Sequence, residues 1–185
     1  MTRFVVERLE IPEVLIIRPK KIADSRGHFV ETFREADFFD LGVKSRFVQD
    51  NQSVSKLKGT VRGLHFQREP QAQAKLVRAT RGSIFDVAVD LRANSDSRGH
   101  WCSAILKAED GDMIFVPAGF AHGFCTLEND THVSYKVDQY YSPQHDAGIL
   151  WNDADIAIRW PVAGGEAIIS DKDASLPQLK NIKLR

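Results

Sequence analysis

Short runs in which apolar and polar residues alternate recur along most of the chain, and turn-forming residues separate them. Phe85, Val87, Val89 and Leu91 mark one such run, and 132–137 forms another. A period of two is typical of a strand that buries one face. Many short strands with regularly spaced turns favour a sandwich or a closed barrel, so the sequence predicts an all-β fold. Further strands are predicted at 14–17, 28–33, 104–106 and 113–116.

A short helix is predicted at 35–41. Phe38, Phe39 and Leu41 lie among acidic residues there, and Gly42 follows as a stop signal. The fold is therefore expected to contain a few short helices beside its strands.

Length and charge limit the classes of protein to which the chain can belong. Its 185 residues suffice for one domain, 1–185, with a hydrophobic core. The 25 lysines and arginines equal the 25 acidic residues, which argues against a dedicated nucleic-acid-binding protein. The first eight residues lack the apolar stretch of a signal peptide, and no run approaches the length of a membrane span. A cytoplasmic protein without a membrane or nucleic-acid partner is expected.

Two histidines occupy related positions in the chain. His122 follows a predicted strand and a proline–glycine turn within 111–122, and His65 follows Gly59 after five intervening residues. These stretches resemble the two motifs of the cupin superfamily, whose fold is a double-stranded β-helix or jelly-roll barrel. The first motif is degenerate, because Gln67 replaces its usual second histidine. With one histidine from each motif, the chain is expected to bind no metal and to use its imidazoles for proton transfer or substrate contact.

A set of polar residues interrupts strands that are otherwise apolar. Arg62 and His65 share one predicted strand, Lys75 lies on the next, 49–51 lie upstream and His122 lies downstream. Strands of a closed barrel alternate between inward and outward residues, and an inward polar group costs free energy unless it has a partner or a function. Taken singly, His65 could be a structural histidine and Lys75 a surface residue. Together they predict a polar site inside the barrel.

Nine segments resemble, in order and over nearly the whole chain, the dTDP-4-dehydrorhamnose 3,5-epimerase family. Each segment alone is a weak match, whereas the ordered set is specific. The segments are 24–31, 47–51, 62–67, 75–77, 85–90, 119–124, 140–143, 149–153 and 170–173.

The resemblance implies an isomerase that acts on dTDP-4-dehydro-6-deoxy-D-glucose. The C4 carbonyl of this sugar acidifies the hydrogens on C3 and C5. Removal of a proton gives an enolate, and its return to the opposite face inverts the carbon. Inversion of both centres yields dTDP-4-dehydro-L-rhamnose, and no redox cofactor is needed because no electrons are transferred.

Four residues match the family's catalytic positions. His65 corresponds to the general base, since imidazole titrates near neutral pH. Asp173 corresponds to the carboxylate that orients this base, with Asp171 left open as an alternative. Tyr135 corresponds to the acid that protonates the enolate carbon, and Lys75 to the group that stabilises the enolate oxygen.

Ten residues match the family's substrate-binding positions. Arg26 and Arg62 suit the diphosphate, because guanidinium groups bind phosphate oxygens in pairs. Phe29 and Tyr141 suit the thymine or the sugar ring. The remaining six are Glu31, Gln49, Asn51, His122, Asp146 and Lys172.

Two acidic residues raise separate questions. Asp146 lies where the family's pattern has a glutamate, and its shorter side chain puts its contact with the nucleotide in question. Asp86 points away from the apolar face of its strand. We expect it to hold Lys75 in place, and a plain buried ion pair fits the sequence equally well.

Three other functions remain open at this point: an epimerase that inverts only one carbon of a dTDP-4-keto-6-deoxy sugar, a metal-dependent cupin, and a sugar-nucleotide sensor without catalysis. An intact Tyr135 favours inversion of both centres, and retention of the base, acid and lysine argues against the sensor. The family resemblance also implies a homodimer in which strands are exchanged between subunits.

Overall fold

The computed structural model describes residues 3–163 and 165–182. The single domain predicted for 1–185 extends to residues outside this part of the chain. The described residues form short strands, two short α-helices and a 3-10 turn at Leu179–Asn181. The helices are α1 (Glu35–Asp40) and α2 (Asp171–Ala174). The strands are β1 (Phe4–Arg8), β2 (Leu15–Pro19), β3 (Ile22–Asp24), β4 (Gly27–Phe29), β5 (Gln49–Ser55), β6 (Val61–Gln67), β7 (Lys75–Arg81), β8 (Ser83–Asp90), β9 (Trp101–Lys107), β10 (Met113–Val116), β11 (Phe120–Thr126), β12 (Thr131–Val137) and β13 (Asp146–Gly148).

Two antiparallel sheets make up the body of the fold. One has six strands in the order β1-β2-β10-β7-β12-β5, and the other has five in the order β13-β6-β11-β8-β9. Successive strands often lie in different sheets, which is the connectivity of a jelly roll. The predicted cupin-type all-β fold with a few short helices is confirmed.

The main hydrophobic core lies between the two sheets. Val77 and Ile114 come from the six-stranded sheet, Ile84 and Leu106 come from the five-stranded sheet, and all four are almost completely buried. Burial of one such side chain stabilises a fold by about 1.5–3 kcal/mol. Tyr135 packs against this cluster, so the apolar core borders the polar interior.

Helix α1 confirms the prediction at 35–41 and covers part of the outer face of the six-stranded sheet. Phe38 packs with its ring centroid 4.9 Å from that of Phe4 and 4.9 Å from that of Phe33. Gly42 follows the helix with φ +99°, a conformation that favours glycine and ends the helix. No helix in the described ranges combines the length and apolar character needed to cross a membrane.

The strand predicted at 28–33 is wrong beyond Phe29. Strand β4 ends there and pairs only with β3, in a two-stranded hairpin separate from both sheets whose six strand residues are all exposed. Alternation alone supplies no pairing partner, and Phe33 instead packs with Phe47 beside α1. The other predicted strands are confirmed as β2, β8, β9, β10 and β12.

Candidate active site

Strands β6 and β11 bring two histidines to the same level of the five-stranded sheet. His65 and His122 are direct partners in the antiparallel register. Two glycines allow the close approach beside them: a Cβ atom on Gly63 would lie 2.6 Å from the Cα atom of Gly123. Gly63 also has φ +129°, where a side chain would be strained. The local sequence therefore permits a spacing that larger residues would prevent.

The structure places Asp173, and not Asp171, beside His65. The Nε2 atom of His65 lies 2.8 Å from Oδ1 of Asp173, while the backbone N–H of Gly63 donates to Oδ2 at 3.1 Å. Asp173 is 4% exposed, whereas Asp171 is exposed on the same helix. The Ser170 hydroxyl caps this helix by accepting a hydrogen bond from the Asp173 backbone.

Asp173 is held as a carboxylate. Burial alone would raise its pKa, but the hydrogen bond and charge of His65, the Gly63 N–H and Lys172 together hold the pKa below its usual range. An ionised carboxylate is only an acceptor, so Nε2 of His65 carries the hydrogen and Nδ1 carries the lone pair. The His65 side chain is 34% exposed. It therefore combines a fixed tautomer with access to a ligand.

A second imidazole–carboxylate pair lies deeper in the same sheet. Nε2 of His122 lies 3.0 and 2.9 Å from the two oxygens of Asp86, and Asp86 is completely buried. Asp86, which was predicted to hold Lys75 in place, thus forms its side-chain hydrogen bonds with His122.

Lys75 is buried close to both pairs. Its ammonium donates to the backbone oxygen of His65 at 3.1 Å. Burial lowers the pKa of Lys75 to about 8, against the opposing charges of Asp86 and Asp146. Asp86 therefore acts on Lys75 through its charge and not through the direct contact that we predicted.

Tyr135 faces the same interior from the opposite sheet. It lies on β12, in register with Asn51 of β5 and Val77 of β7. Burial raises the pKa of its phenol, partly offset by the positive charge of Arg62. The phenol consequently stays protonated at neutral pH.

Two adjoining chambers occupy the interior. The outer chamber has a volume of about 400 Å³ and the inner one about 220 Å³. His65, Lys75 and Tyr135 line both and Asp173 lines the inner one, so the structure brings all four predicted catalytic side chains to one place. Lys172 also lines both. Of the predicted binding residues, the outer chamber adds Gln49, Asn51, Tyr141 and Asp146, and the inner one adds Arg62 and His122.

Asp146 organises the rim of the outer chamber. Its Oδ2 atom accepts a hydrogen bond from the Lys172 ammonium at 2.7 Å and one from the Tyr141 hydroxyl at 3.3 Å. The shorter side chain thus contacts two neighbours that were themselves predicted to bind substrate.

Three predicted binding residues do not line either chamber. Arg26 pairs with Asp24 at 2.6 Å on the exposed hairpin, Phe29 is 64% exposed, and Glu31 pairs with Arg3 at 2.7 Å. A single chain therefore does not bring them to the other site residues.

Sequence reasoning missed Ser53, which lines the inner chamber. Gln49 and Asn51 were found through their motif, and a period of two along β5 places Ser53 on the same face. That continuation was the available signal. Phe124 and Ser170 also line the inner chamber and were not singled out from the sequence.

The two histidines of this site are each paired with a carboxylate. Within 3–163 and 165–182, no three His, Cys, Asp or Glu side chains are grouped so that they could hold a metal ion. Each of the two barrel histidines directs Nε2 to a carboxylate. This arrangement suits proton transfer, in which a carboxylate fixes the tautomer of a base.

Comparison with known proteins gives consistent matches over almost the full chain. The family model described as dTDP-4-dehydrorhamnose 3,5-epimerase matches residues 8–181. A Sinorhizobium fredii protein named dTDP-4-dehydrorhamnose 3,5-epimerase is 53% identical over 173 residues, which cover 94% of this chain and 88% of the relative.

Two solved structures show the same architecture. A dTDP-4-dehydrorhamnose 3,5-epimerase from Bacillus anthracis, with TDP and PPi bound, superimposes with a TM-score of 0.92 at 47% identity, covering 95% of this chain and 99% of the other. A dTDP-6-deoxy-D-glucose-3,5-epimerase from Legionella pneumophila, in complex with dTDP-4-keto-L-rhamnose, gives 0.92 at 40% identity, with 97% and 95% covered.

Proposed function

Since the chain belongs to the dTDP-4-dehydrorhamnose 3,5-epimerase family, we propose that it inverts C3 and C5 of dTDP-4-dehydro-6-deoxy-D-glucose to give dTDP-4-dehydro-L-rhamnose. The family and the isomerase class predicted from the sequence are confirmed by these matches. One observation carries the proposal: His65, Lys75 and Tyr135 line the same two chambers, and Asp173 contacts the first of them. A base, an acid and a cation around one cavity are what carbon inversion beside a ketone requires.

His65 acts as the base. Its Nδ1 lone pair takes the proton from a carbon next to the C4 carbonyl, and the electrons of the broken C–H bond form the enolate. The imidazolium that results is stabilised by the Asp173 carboxylate 2.8 Å away. General base catalysis of this kind contributes about 10²- to 10⁴-fold in rate.

Lys75 stabilises the enolate oxygen by charge and hydrogen bonding. A buried ammonium acts in a medium of low dielectric constant, where its field on the developing negative charge is stronger than in water. Its pKa of about 8 still leaves it mostly protonated at pH 7.

Tyr135 returns a proton to the opposite face of the carbon. Its raised pKa keeps the phenol protonated until a basic enolate carbon forms. Both side chains then exchange protons with solvent, which restores neutral His65 and the neutral phenol. The same cycle at the second carbon completes the double inversion.

All ten binding residues keep their predicted roles in this proposal, and Asp146 also contacts Lys172 and Tyr141. Arg62 lies in the inner chamber and is assigned to the diphosphate.

Arg26 and Phe29 lie on an exposed hairpin outside their own chain's chambers. We therefore propose a homodimer in which this hairpin serves the partner subunit's site. A cytoplasmic location and a single domain over 1–185 belong to the same proposal.

Incubation with dTDP-4-dehydro-6-deoxy-D-glucose in deuterated water tests the reaction. Deuterium at both C3 and C5, followed by conversion to dTDP-rhamnose with a rhamnose-forming reductase, is the expected result. Label at one carbon would replace the proposal with the single-centre epimerase. Binding of the nucleotide sugar without any exchange would instead indicate the sensor.

Metal content gives an independent check. We expect protein purified without chelators to catalyse exchange at an unchanged rate after treatment with a chelator. Loss of exchange, with recovery on addition of one divalent metal, would support the metal-dependent cupin.

Sedimentation of the purified protein at twice the monomer mass is expected for the homodimer.

A further inference from the structure

The Ser53 hydroxyl is a buried polar group without a partner. Its Oγ atom is inaccessible to solvent and makes no hydrogen bond to any described residue. A buried hydroxyl in this condition destabilises a folded protein, and most such groups in folded proteins are hydrogen-bonded. The ligand-free fold therefore tolerates a cost at this position.

Ser53 lies against the inner chamber. It pairs with Val133 across the β5–β12 ladder, next to the pair formed by Asn51 and Tyr135. It lines the inner chamber together with Arg62 and the catalytic candidates, whereas Val54 on the opposite face of the strand is 48% exposed. The hydroxyl that lacks a partner thus belongs to a residue at the ligand cavity.

Arg62 is held beside the same segment of β5. Its Nε donates to the Ser55 hydroxyl at 3.2 Å, and one terminal nitrogen donates to the Val54 carbonyl at 3.1 Å. A guanidinium has five N–H donors, so three remain for a ligand. A hydroxyl next to an anchored guanidinium is a donor set that suits phosphate oxygens.

We propose that Ser53 is a further substrate-binding residue, whose hydroxyl donates a hydrogen bond to a diphosphate oxygen beside Arg62. No hydrogen bond restrains the side chain, so rotation about Cα–Cβ between staggered positions can direct the hydroxyl into the inner chamber. The inference rests on the proposed function, since it takes a nucleoside diphosphate sugar as the ligand. In the free protein this hydroxyl lacks a hydrogen bond, and in the complex it forms one with the ligand.

Ser53→Ala separates a binding role from a structural one. We expect its affinity for dTDP, measured by calorimetry, to fall about ten- to a hundredfold, as for the loss of a hydrogen bond to a charged group. Affinity for thymidine, which has no phosphate, should not change. The melting temperature of the ligand-free variant should equal or exceed that of the wild type, because an unsatisfied buried hydroxyl is removed.

Two matched variants complete the test. Ser53→Thr keeps a hydroxyl and should retain most of the dTDP affinity, and Val54→Ala changes the outward face of the same strand and should bind as the wild type does. Unchanged dTDP affinity in Ser53→Ala would overturn the assignment. So would a fall in kcat with unaltered dTDP affinity, which indicates a contact with the sugar, or a lower melting temperature without ligand.

The same measurements distinguish this inference from the proposed function. A wild-type protein that binds dTDP and exchanges substrate hydrogens, with a Ser53→Ala variant that binds dTDP equally well, refutes only the role of Ser53. A wild-type protein that neither binds dTDP nor catalyses exchange refutes both.

Discussion

Two imidazole–carboxylate pairs have their histidines on neighbouring strands of the same sheet and differ mainly in access. His65 contacts Asp173 and His122 contacts Asp86, in each case through Nε2. The His65 side chain is 34% exposed, and that of His122 is 8% exposed. The His65 pair is thus accessible from the cavity, and the His122 pair is buried in the wall behind it.

The two carboxylates also come from different parts of the fold. Asp86 lies in the sheet, on β8 beside β11, whereas Asp173 lies on the short helix α2 near the end of the described chain. Asp86 commits both oxygens to His122, and Asp173 divides its oxygens between His65 and the Gly63 N–H. An accessible ring with one fixed nitrogen suits a base, and an inaccessible ring suits positioning and binding. Residue type alone does not distinguish these roles.

Replacement of each histidine gives the largest expected contrast. His65→Ala should reduce exchange of the C3 and C5 hydrogens by about 10²- to 10⁴-fold, because it removes the proposed base. His122→Ala leaves the His65–Asp173 pair intact and should act mainly on KM. Proton NMR in deuterated water measures exchange, and circular dichroism checks the fold. Equal loss of exchange in both variants would contradict the division of roles.

Lys75 lies between the two pairs and has the next largest expected effect. Lys75→Met should lower kcat by about 10²- to 10³-fold, as for the removal of a donor to a developing oxyanion. Lys136→Met is a matched control, since Lys136 lies on β12 and pairs with the exposed Asp50. Steady-state kinetics with the coupled reductase provide the measurement. A loss confined to KM would assign Lys75 to ground-state binding.

The pH profile separates the carboxylates by their effect on Lys75. In the proposed mechanism only protonated Lys75 stabilises the enolate, so kcat/KM should fall as the pH rises through about 8. The charge of Asp86 supports protonation of Lys75, and Asp86→Asn should therefore move this fall to lower pH. Asp173→Asn should lower the rate without changing the pH at which kcat/KM falls. Profiles of kcat/KM between pH 6 and 10 test this, and an unmoved limb in Asp86→Asn would refute the coupling.

The smallest expected effect concerns stability in acid. The pKa of Asp173 is lower in the folded chain than the unfolded value of about 3.9. Its contribution to the free energy of unfolding is therefore complete above the unfolded pKa and is lost as the pH falls through the folded one. Between pH 6 and 2, the wild type should lose more stability than Asp173→Asn does. Urea unfolding at each pH measures the loss, and Asp171→Asn, which retains Asp173, should behave as the wild type.

Local patterns sufficed for most of the strands, and the ordered family motifs contained most of the side chains that line the two chambers. Strand β10 occupies 113–116 as predicted, and helix α1 ends within one residue of its predicted limit. Where the pattern failed, at 30–33, the missing element was a partner strand. Strand pairing joins segments distant in sequence, so alternation in one segment is not enough to establish it.

Read by itself, the sequence determined the class of fold, the family and the side chains available for proton transfer, because these depend on residue identity, period and order. Tertiary structure decided which groups meet. It joined His65 to Asp173 across 108 positions, directed Asp86 to His122, placed Arg26 and Phe29 outside their own chain's cavity, and left the Ser53 hydroxyl without a partner. These contacts depend on strand register and on how segments distant in sequence pack together. When a side chain points to the other face of its strand, its contacts are completely different.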